Sequence, residues 1–244
     1  MIYRQIKPHP ALSAYIDSYW TLDCEDNKPE CERIFPDGCC GLVINLGEKC
    51  TTDNGLVILH AGKPYLVGPM TTFKETSIPP GGRLIGVCFN PAAFSQFYYQ
   101  FPLSEVIDKT VDFDLIPERT MQKLMQNTVS SLNEYFGNRL TSEKHNLIPI
   151  IKDIQLAKGQ ISIDQLARRN FMTCRQLERS FKKHIGLSPK EFTKITRFQT
   201  AFLKIKNNYQ HKSLLDIAFD CGYYDHAHLT NEIKQYTGLT PSAI

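Results

Sequence analysis

Residues 175–189 read RQLERSFKKHIGLSP and residues 227–241 read AHLTNEIKQYTGLTP, so a Leu, a Lys and a closing Gly-Leu-[Ser/Thr]-Pro recur at one constant offset. An element used twice at that spacing restricts the C-terminal chain to two similar helical units. The flanking segments IDQLARRN and SLLDIAFDC each precede a copy, and PKEFTKITRFQTAFLKIKNN separates the copies. Two short helices joined by a tight turn, used twice with a long helix between, form a pair of helix-turn-helix units. The expected second domain spans residues 145–244, with a first unit at 160–187, a linker helix at 189–208 and a second unit at 213–241. Thr173 and Asp225 fall where the second helix of each unit begins and are expected to cap it. Gly222 suits the turn of the second unit; in the first, Asn170 is the residue expected to take the left-handed conformation.

Helical phase then separates core from surface. With Leu177 at zero and about 100° per residue, Phe181 lies about 40° away, and Arg175, Arg179 and Lys182 lie between about 140° and 200° on the opposite side. The outward face of the first copy is therefore basic. In the second copy Leu229 and Ile233 point inward and Ala227, Asn231 and Lys234 outward, with His228 and Thr230 on opposite flanks. That face is polar and nearly uncharged. His226 and His228, two residues apart on a helix, diverge and make no metal pair.

Charge follows the same division. Residues 1–144 carry 13 Lys and Arg against 17 Asp and Glu, whereas residues 160–212 carry 12 against 3 and residues 213–244 carry 1 against 4. A positive field confined to one segment points to a polyanionic partner, nucleic acid before membrane surface. The chain contains no apolar run long enough to cross a bilayer, and its opening MIYRQIKPHPALSAYIDSYW is too broken by Pro, Asp and His for a signal peptide, so a soluble cytoplasmic protein is expected.

Residues 1–140 form the other expected domain. YIDSYWTL, GLVINLG, GLVILH, YLVG and RLIGVCF read as short strands at hairpin spacing. Asn90 is placed as an N-cap with Pro91 at the first position of a helix through PAAFSQFYYQF, and MQKLMQNTVSSLNEYF gives apolar residues at helical spacing. The expected fold class is thus an α+β N-terminal domain, a small β-barrel or sandwich of cupin-like kind with appended helices, followed by an all-α domain. Tyr15, Trp20 and Phe89 are the candidates for lining a ligand pocket, core being the plainer reading of each aromatic.

Chemistry is sparsely signalled in this half. His9 and His60 are its only histidines before residue 145, no phosphate loop occurs, and the eight cysteines include no Cys-x-x-Cys pair, so no metal and no cofactor are expected. Gly86-Val87-Cys88 is similar to a nucleophile elbow, but Asn90 stands where that motif has Gly. The leading reading is a non-enzymatic DNA-binding regulator. The alternative is a DNA-binding domain fused to a cysteine-based enzyme or thiol sensor centred on Cys88 or on Cys39 and Cys40.

Residues 160–244 resemble the AraC family of bacterial transcription regulators through LARRN, RQLERSFKKHIGLSPKEF, RFQTA and CGYYDHAHLTNEIKQYTGLTP, in that order. YIDSYW, RIFPDG, LVINLG and GVCFNP look like the small N-terminal domain of some members. The resemblance implies that both second helices enter successive major grooves of double-stranded DNA. Carried over by position, the contacting residues are Arg175, Gln176, Glu178 and Arg179 in the first unit, and His226, Ala227, His228, Thr230 and Asn231 in the second. Lys182, Lys183 and Arg197 complete the expected DNA-binding set. The expected partners are duplex DNA, a small-molecule effector or a second copy of the chain at the N-terminal domain, and RNA polymerase, with no membrane.

Overall fold

The computed structural model describes residues 1–25, 28–141, 147–208 and 212–244; the expected start of the second domain at residue 145 lies outside them. The N-terminal domain contains β1 (Ile2–Ile6), β2 (Ile16–Asp23), β3 (Glu30–Ile34), β4 (Gly41–Asn45), β5 (Cys50–Thr52), β6 (Val57–Leu59), β7 (Pro64–Val67), β8 (Lys74–Ile78), β9 (Arg83–Phe89) and β10 (Thr110–Asp112). They form two antiparallel sheets, one ordered β1-β2-β9-β4-β7-β10 and the other β3-β8-β5-β6. The sheets stack as a sandwich and do not close into a barrel.

Strand alternation assigns the two faces of the larger sheet. On β9, Ile85, Val87 and Phe89 join Tyr19, Leu42 and Ile44 in a core completed by Phe94, Phe97, Phe113 and Phe136. Leu84, on the opposite face of β9, packs with Leu22, Cys50, Tyr65 and Ile78 between the sheets, where Trp20 joins them. Gly86 is required on this face, because a Cβ there would fall 1.8 Å from Trp20 Cε2. Lys74 is only 2% exposed, and its Nζ lies 2.8 Å from Asp53 Oδ1 and donates to Thr110 Oγ1 at 3.1 Å. A buried charge is tolerated only when so paired, and this one ties the smaller sheet to the β10 edge of the larger.

Two features of this domain differ from expectation. PAAFSQFYYQF forms turns and one 3-10 segment, Phe94–Gln96, with Ala92 at φ +65°, so Asn90 caps no α-helix. The residues serve instead as an aromatic cap on the sheet, in which Phe94 meets Phe89, Tyr98 and Phe101. The following helical segment is two helices, α1 (Glu118–Gln126) and α2 (Thr128–Arg139), broken at Asn127, whose side chain accepts from Ser130 N and caps α2.

The C-terminal domain holds α3 (Ile148–Leu156), α4 (Ile163–Arg169), α5 (Cys174–His184), α6 (Pro189–Lys206), α7 (Leu214–Asp220) and α8 (His226–Thr237). Ser162 with Gln165, Thr173 with Gln176, Ser188 with Glu191 and Ser213 with Asp216 make complete capping boxes at α4, α5, α6 and α7. Each replaces orphan backbone donors that would otherwise cost about 1 kcal/mol of helix stability. Leu166, Leu177, Phe181, Phe192, Ile195, Phe198, Ile217, Leu229 and Ile233 bury the inner faces in one core.

The two domains are in contact through all three parts of the C-terminal domain. Lys183 Nζ donates to Tyr99 Oη at 2.7 Å, and His184 Nδ1 lies 3.0 Å from Ser95 Oγ at the end of α5. Arg33 Nη1 donates to Thr237 O at 3.2 Å and Thr72 Oγ1 to Gln235 O at 3.3 Å at the end of α8. Between them Gln199 Nε2 donates to Pro36 O at 3.3 Å, and Phe35 packs 5.2 Å from Phe202 on α6.

Candidate nucleic-acid interface

Each helix-turn-helix unit is built on a short first helix, a tight turn and a longer second helix. In the second unit Gly222 takes φ +75°, as its lack of a side chain permits. In the first unit the left-handed residue is Phe171, at φ +52°, whereas Asn170 has φ −104° and closes α4, its side-chain amide donating to Leu166 O. This overturns the expectation for Asn170, and the reason is a shift of register. α4 and α7 begin at Ile163 and Leu214, 51 residues apart, while α5 and α8 begin at Cys174 and His226, 52 apart. The second turn is one residue longer, so Gly222 corresponds to Phe171. That phenylalanine is 99% exposed and holds a conformation that costs a non-glycine residue roughly 1–2 kcal/mol.

The second helix of the first unit, α5, shows the expected division. Leu177 and Phe181 are fully buried, and Arg175, Arg179 and Lys182 are exposed on the other side. Arg175 and Arg179 make no ion pair among the described residues, and Lys182 has only a loose contact with Glu178, 3.8 Å away. Gln176 is partly occupied: its Oε1 accepts from Thr173 N at 2.8 Å in the capping box. Together these residues line one open groove along α5. An unpaired guanidinium pair one helical turn apart can present two bidentate donor forks to base edges or phosphates.

Two members of the expected set lie elsewhere. Lys183 is turned to the N-terminal domain, with Nζ on Tyr99 Oη and 4.4 Å from that ring. Arg197 is largely buried within the C-terminal domain: its Nη2 lies 3.0 Å from Glu232 Oε2, and its guanidinium sits 4.5 Å above the Tyr223 ring. Tyr223 Oη in turn donates to Glu232 Oε1 at 2.7 Å. Burial pushes the Tyr223 phenol up, and the adjacent Glu232 carboxylate pushes it further, so the hydroxyl stays a donor. The network of Arg197, Glu232 and Tyr223 fastens α8 to the linker helix. The sequence shows a cation at position 197 but not that its counter-charge arrives from α8, 35 residues on.

The second helix of the second unit, α8, carries the other candidates. His226, Ala227, His228 and Asn231 are exposed and Thr230 is half-buried, while Leu229 and Ile233 are buried. His228 is the one tied to the interior: its ring meets Tyr223 edge-on at 5.2 Å, and its Nε2 is 3.9 Å from Glu232 Oε2. Asp225 caps the helix, its carboxylate accepting from His228 N at 2.7 Å. The two second helices thus share a scaffold but differ in the chemistry of their outer faces.

The candidate ligand residues do not converge. Tyr15 and Phe89 pack on the face covered by the aromatic cap, Tyr15 edge-on to Phe97, whereas Trp20 lies between the sheets. Residues of opposite parity on paired strands face opposite sides, which is why these aromatics cannot line one pocket. The thiols are also poorly placed for nucleophilic work. Burial, with Asp37 nearby, pushes the Cys88 thiol up to about 11, and burial raises Cys39 and Cys40 further, so thiolate is disfavoured at all three. Among the described residues no group of three or more His, Cys, Asp and Glu is arranged to hold a metal ion, and no helix is long and apolar enough to cross a membrane.

Comparison with known proteins adds to this geometry. A family model described as a helix-turn-helix domain matches residues 166–244, and one described as a domain of unknown function, DUF6597, matches residues 4–112. An uncharacterized HTH-type transcriptional regulator of Haemophilus influenzae is 36% identical over 93 residues, covering 38% of this chain and 30% of the relative. The HTH-type transcriptional activator RhaS of Mannheimia succiniciproducens is 27% identical over 82 residues, 34% of this chain and 30% of the relative. The match therefore spans under a third of the length of these curated relatives. Among solved structures, ToxT from Vibrio cholerae covers 92% of this chain and 97% of its own at 11% identity, with a TM-score of 0.49.

Proposed function

We propose that the protein is a sequence-specific DNA-binding transcription regulator of the AraC type and not an enzyme, a reading supported by the match of residues 166–244 to a helix-turn-helix domain and by the two HTH-type regulators that part of the chain resembles. The observation that carries this reading is the outer face of α5, where Arg175, Arg179 and Lys182 stand exposed on a helix whose other side is fully buried. A helix of this size fits the major groove, where arginine forks read guanine and lysines meet phosphate. Residues 1–140 act as the regulatory domain, binding a small effector or pairing with a second copy. Their contacts with the ends of α5 and α8 and with α6 support that role, since an event in the N-terminal domain reaches both units through them. Arg175, Gln176, Glu178, Arg179 and Lys182 serve the first half-site; His226, Ala227, His228, Thr230 and Asn231 serve the second.

Selection of bound sequences from a random duplex pool by the full chain tests the reading. Two enriched blocks with centres about 10 base pairs apart, one helical turn, are expected. A pool that binds without enrichment would overturn sequence recognition.

A further inference from the structure

A second basic feature lies between the two units, separate from the outer face of α5. A cleft of about 480 Å³ opens there, lined by Ser162 of the first unit, Gly222 of the second and Lys190, Lys194 and Arg197 of the linker helix. Positions 190, 194 and 197 follow the four-and-three spacing that puts residues on one stripe of a helix, here α6. The stripe is not evenly charged. Arg197 is neutralised by Glu232, whereas Lys190 and Lys194 make no ion pair among the described residues. Among the described residues no carboxylate lines the cleft, and the acidic neighbour Glu191 is committed to the Ser188 capping box.

The place of this cleft follows from contacts on either side. Asp164, two residues past Ser162, accepts from the Cys174 thiol at 3.1 Å, which places that part of the lining beside the first turn of α5. Gly222 stands three residues before Asp225, the cap of α8, which places it beside the first turn of the second unit's outer helix. Gln160, also in the lining, bridges the two units, its Nε2 donating to Asp220 O at 3.1 Å. The uncompensated lysines therefore sit between the N-terminal ends of the two helices expected to read DNA.

We propose that this cleft is a phosphate-binding site that receives the sugar-phosphate backbone of the duplex where it passes between the two outer helices, with Lys190 and Lys194 as its cations. The proposal rests on the DNA-binding reading and deepens it. Lys190 and Lys194 neutralise phosphates and carry no sequence information, so they set register while α5 and α8 read bases. Because Arg197 is internally paired, the cleft's positive charge comes from these two lysines.

The test is the salt dependence of full-chain binding to a random-sequence duplex, for the wild type, for the double variant Lys190→Gln with Lys194→Gln, and for Lys63→Gln as a charge control in the N-terminal domain. Each lost phosphate contact removes about 0.9 from the slope of log K against log salt, so the double variant should be shallower by about two units and Lys63→Gln unchanged. A steep wild-type slope retained in the double variant overturns the cleft and leaves the DNA reading standing. A flat wild-type slope overturns the reading on which the cleft rests. A free anion is distinguished by thermal unfolding with inorganic phosphate: stabilisation of the wild type alone, with equal salt slopes, assigns the cleft to a small anion and overturns the duplex.

Discussion

The two helix-turn-helix units bury apolar residues at the same inner positions and differ in the charge of their outer faces. Leu177 and Phe181 in the first correspond to Leu229 and Ile233 in the second, all buried in one core. On the outside, Arg175 and Arg179 correspond to Ala227 and Asn231, 52 positions on. The anchoring differs as well. Glu232, which holds Arg197 and Tyr223 inside the domain, corresponds to Ser180, so the first unit has no such ion pair. One scaffold therefore supplies a charged, unencumbered face in one unit and a polar face fastened from behind in the other. Packing dictates the inner positions, and the partner that each face meets is left to the outer ones.

The largest effect expected from breaking this contrast is on the anchor. Glu232→Ala leaves the Arg197 guanidinium buried without its counter-charge, and denaturant unfolding should show a loss of about 3 kcal/mol or more. Ser180→Ala, at the matching place in the first unit, should change stability by less than about 1 kcal/mol. Equal losses would mean that the ion pair does not set the two units apart.

Base reading comes next. Arg179→Ala should cost roughly 1–3 kcal/mol of discrimination on a selected duplex and relax one or two positions, whereas Lys182→Ala should weaken selected and random duplexes alike. Competition binding on both duplexes checks this, and identical behaviour of the two variants would contradict the division of roles along α5. The turns offer a smaller contrast. Phe171→Gly removes a left-handed strain at an almost fully exposed side chain and should stabilise the domain by about 1 kcal/mol. Gly222→Ala should destabilise by a similar amount, since its Cβ would also meet Gln160 Oε1 at 2.9 Å. Asn231→Arg, which makes the second face resemble the first, should add about one unit to the salt slope of duplex binding.

What could be read from the chain follows from which interactions are local. The phase of α5 and α8 was legible because four buried residues recur every four positions, and the caps Thr173 and Asp225 because a cap acts within three residues. Asn170 is the local candidate for the left-handed turn because Asn tolerates that conformation better than Phe, and only the register of the two units places Phe171 there. Strands such as β1, whose residues are nearly all exposed, and β3, which alternates Glu with Cys and Arg, lack the apolar run or alternation by which a strand announces itself. Lys183 and Arg197 read as free cations in the sequence because their partners in the fold, Tyr99 and Glu232, are 84 and 35 residues away. Trp20 and Phe89 look alike in the sequence as strand aromatics, and only the strand pairing shows that they occupy opposite faces.

The central claim is that the first unit and the linker grip the phosphate backbone while the second adds little attraction. Binding of the full chain to a random-sequence duplex across a range of salt concentrations tests it most directly, with Lys182→Gln plus Lys190→Gln compared against Lys234→Gln, the single Lys or Arg of residues 213–244. A steep wild-type slope is expected, made shallower by about two units in the first variant and left unchanged in the second. A slope that Lys234→Gln reduces as much as the lysine pair does would contradict the account.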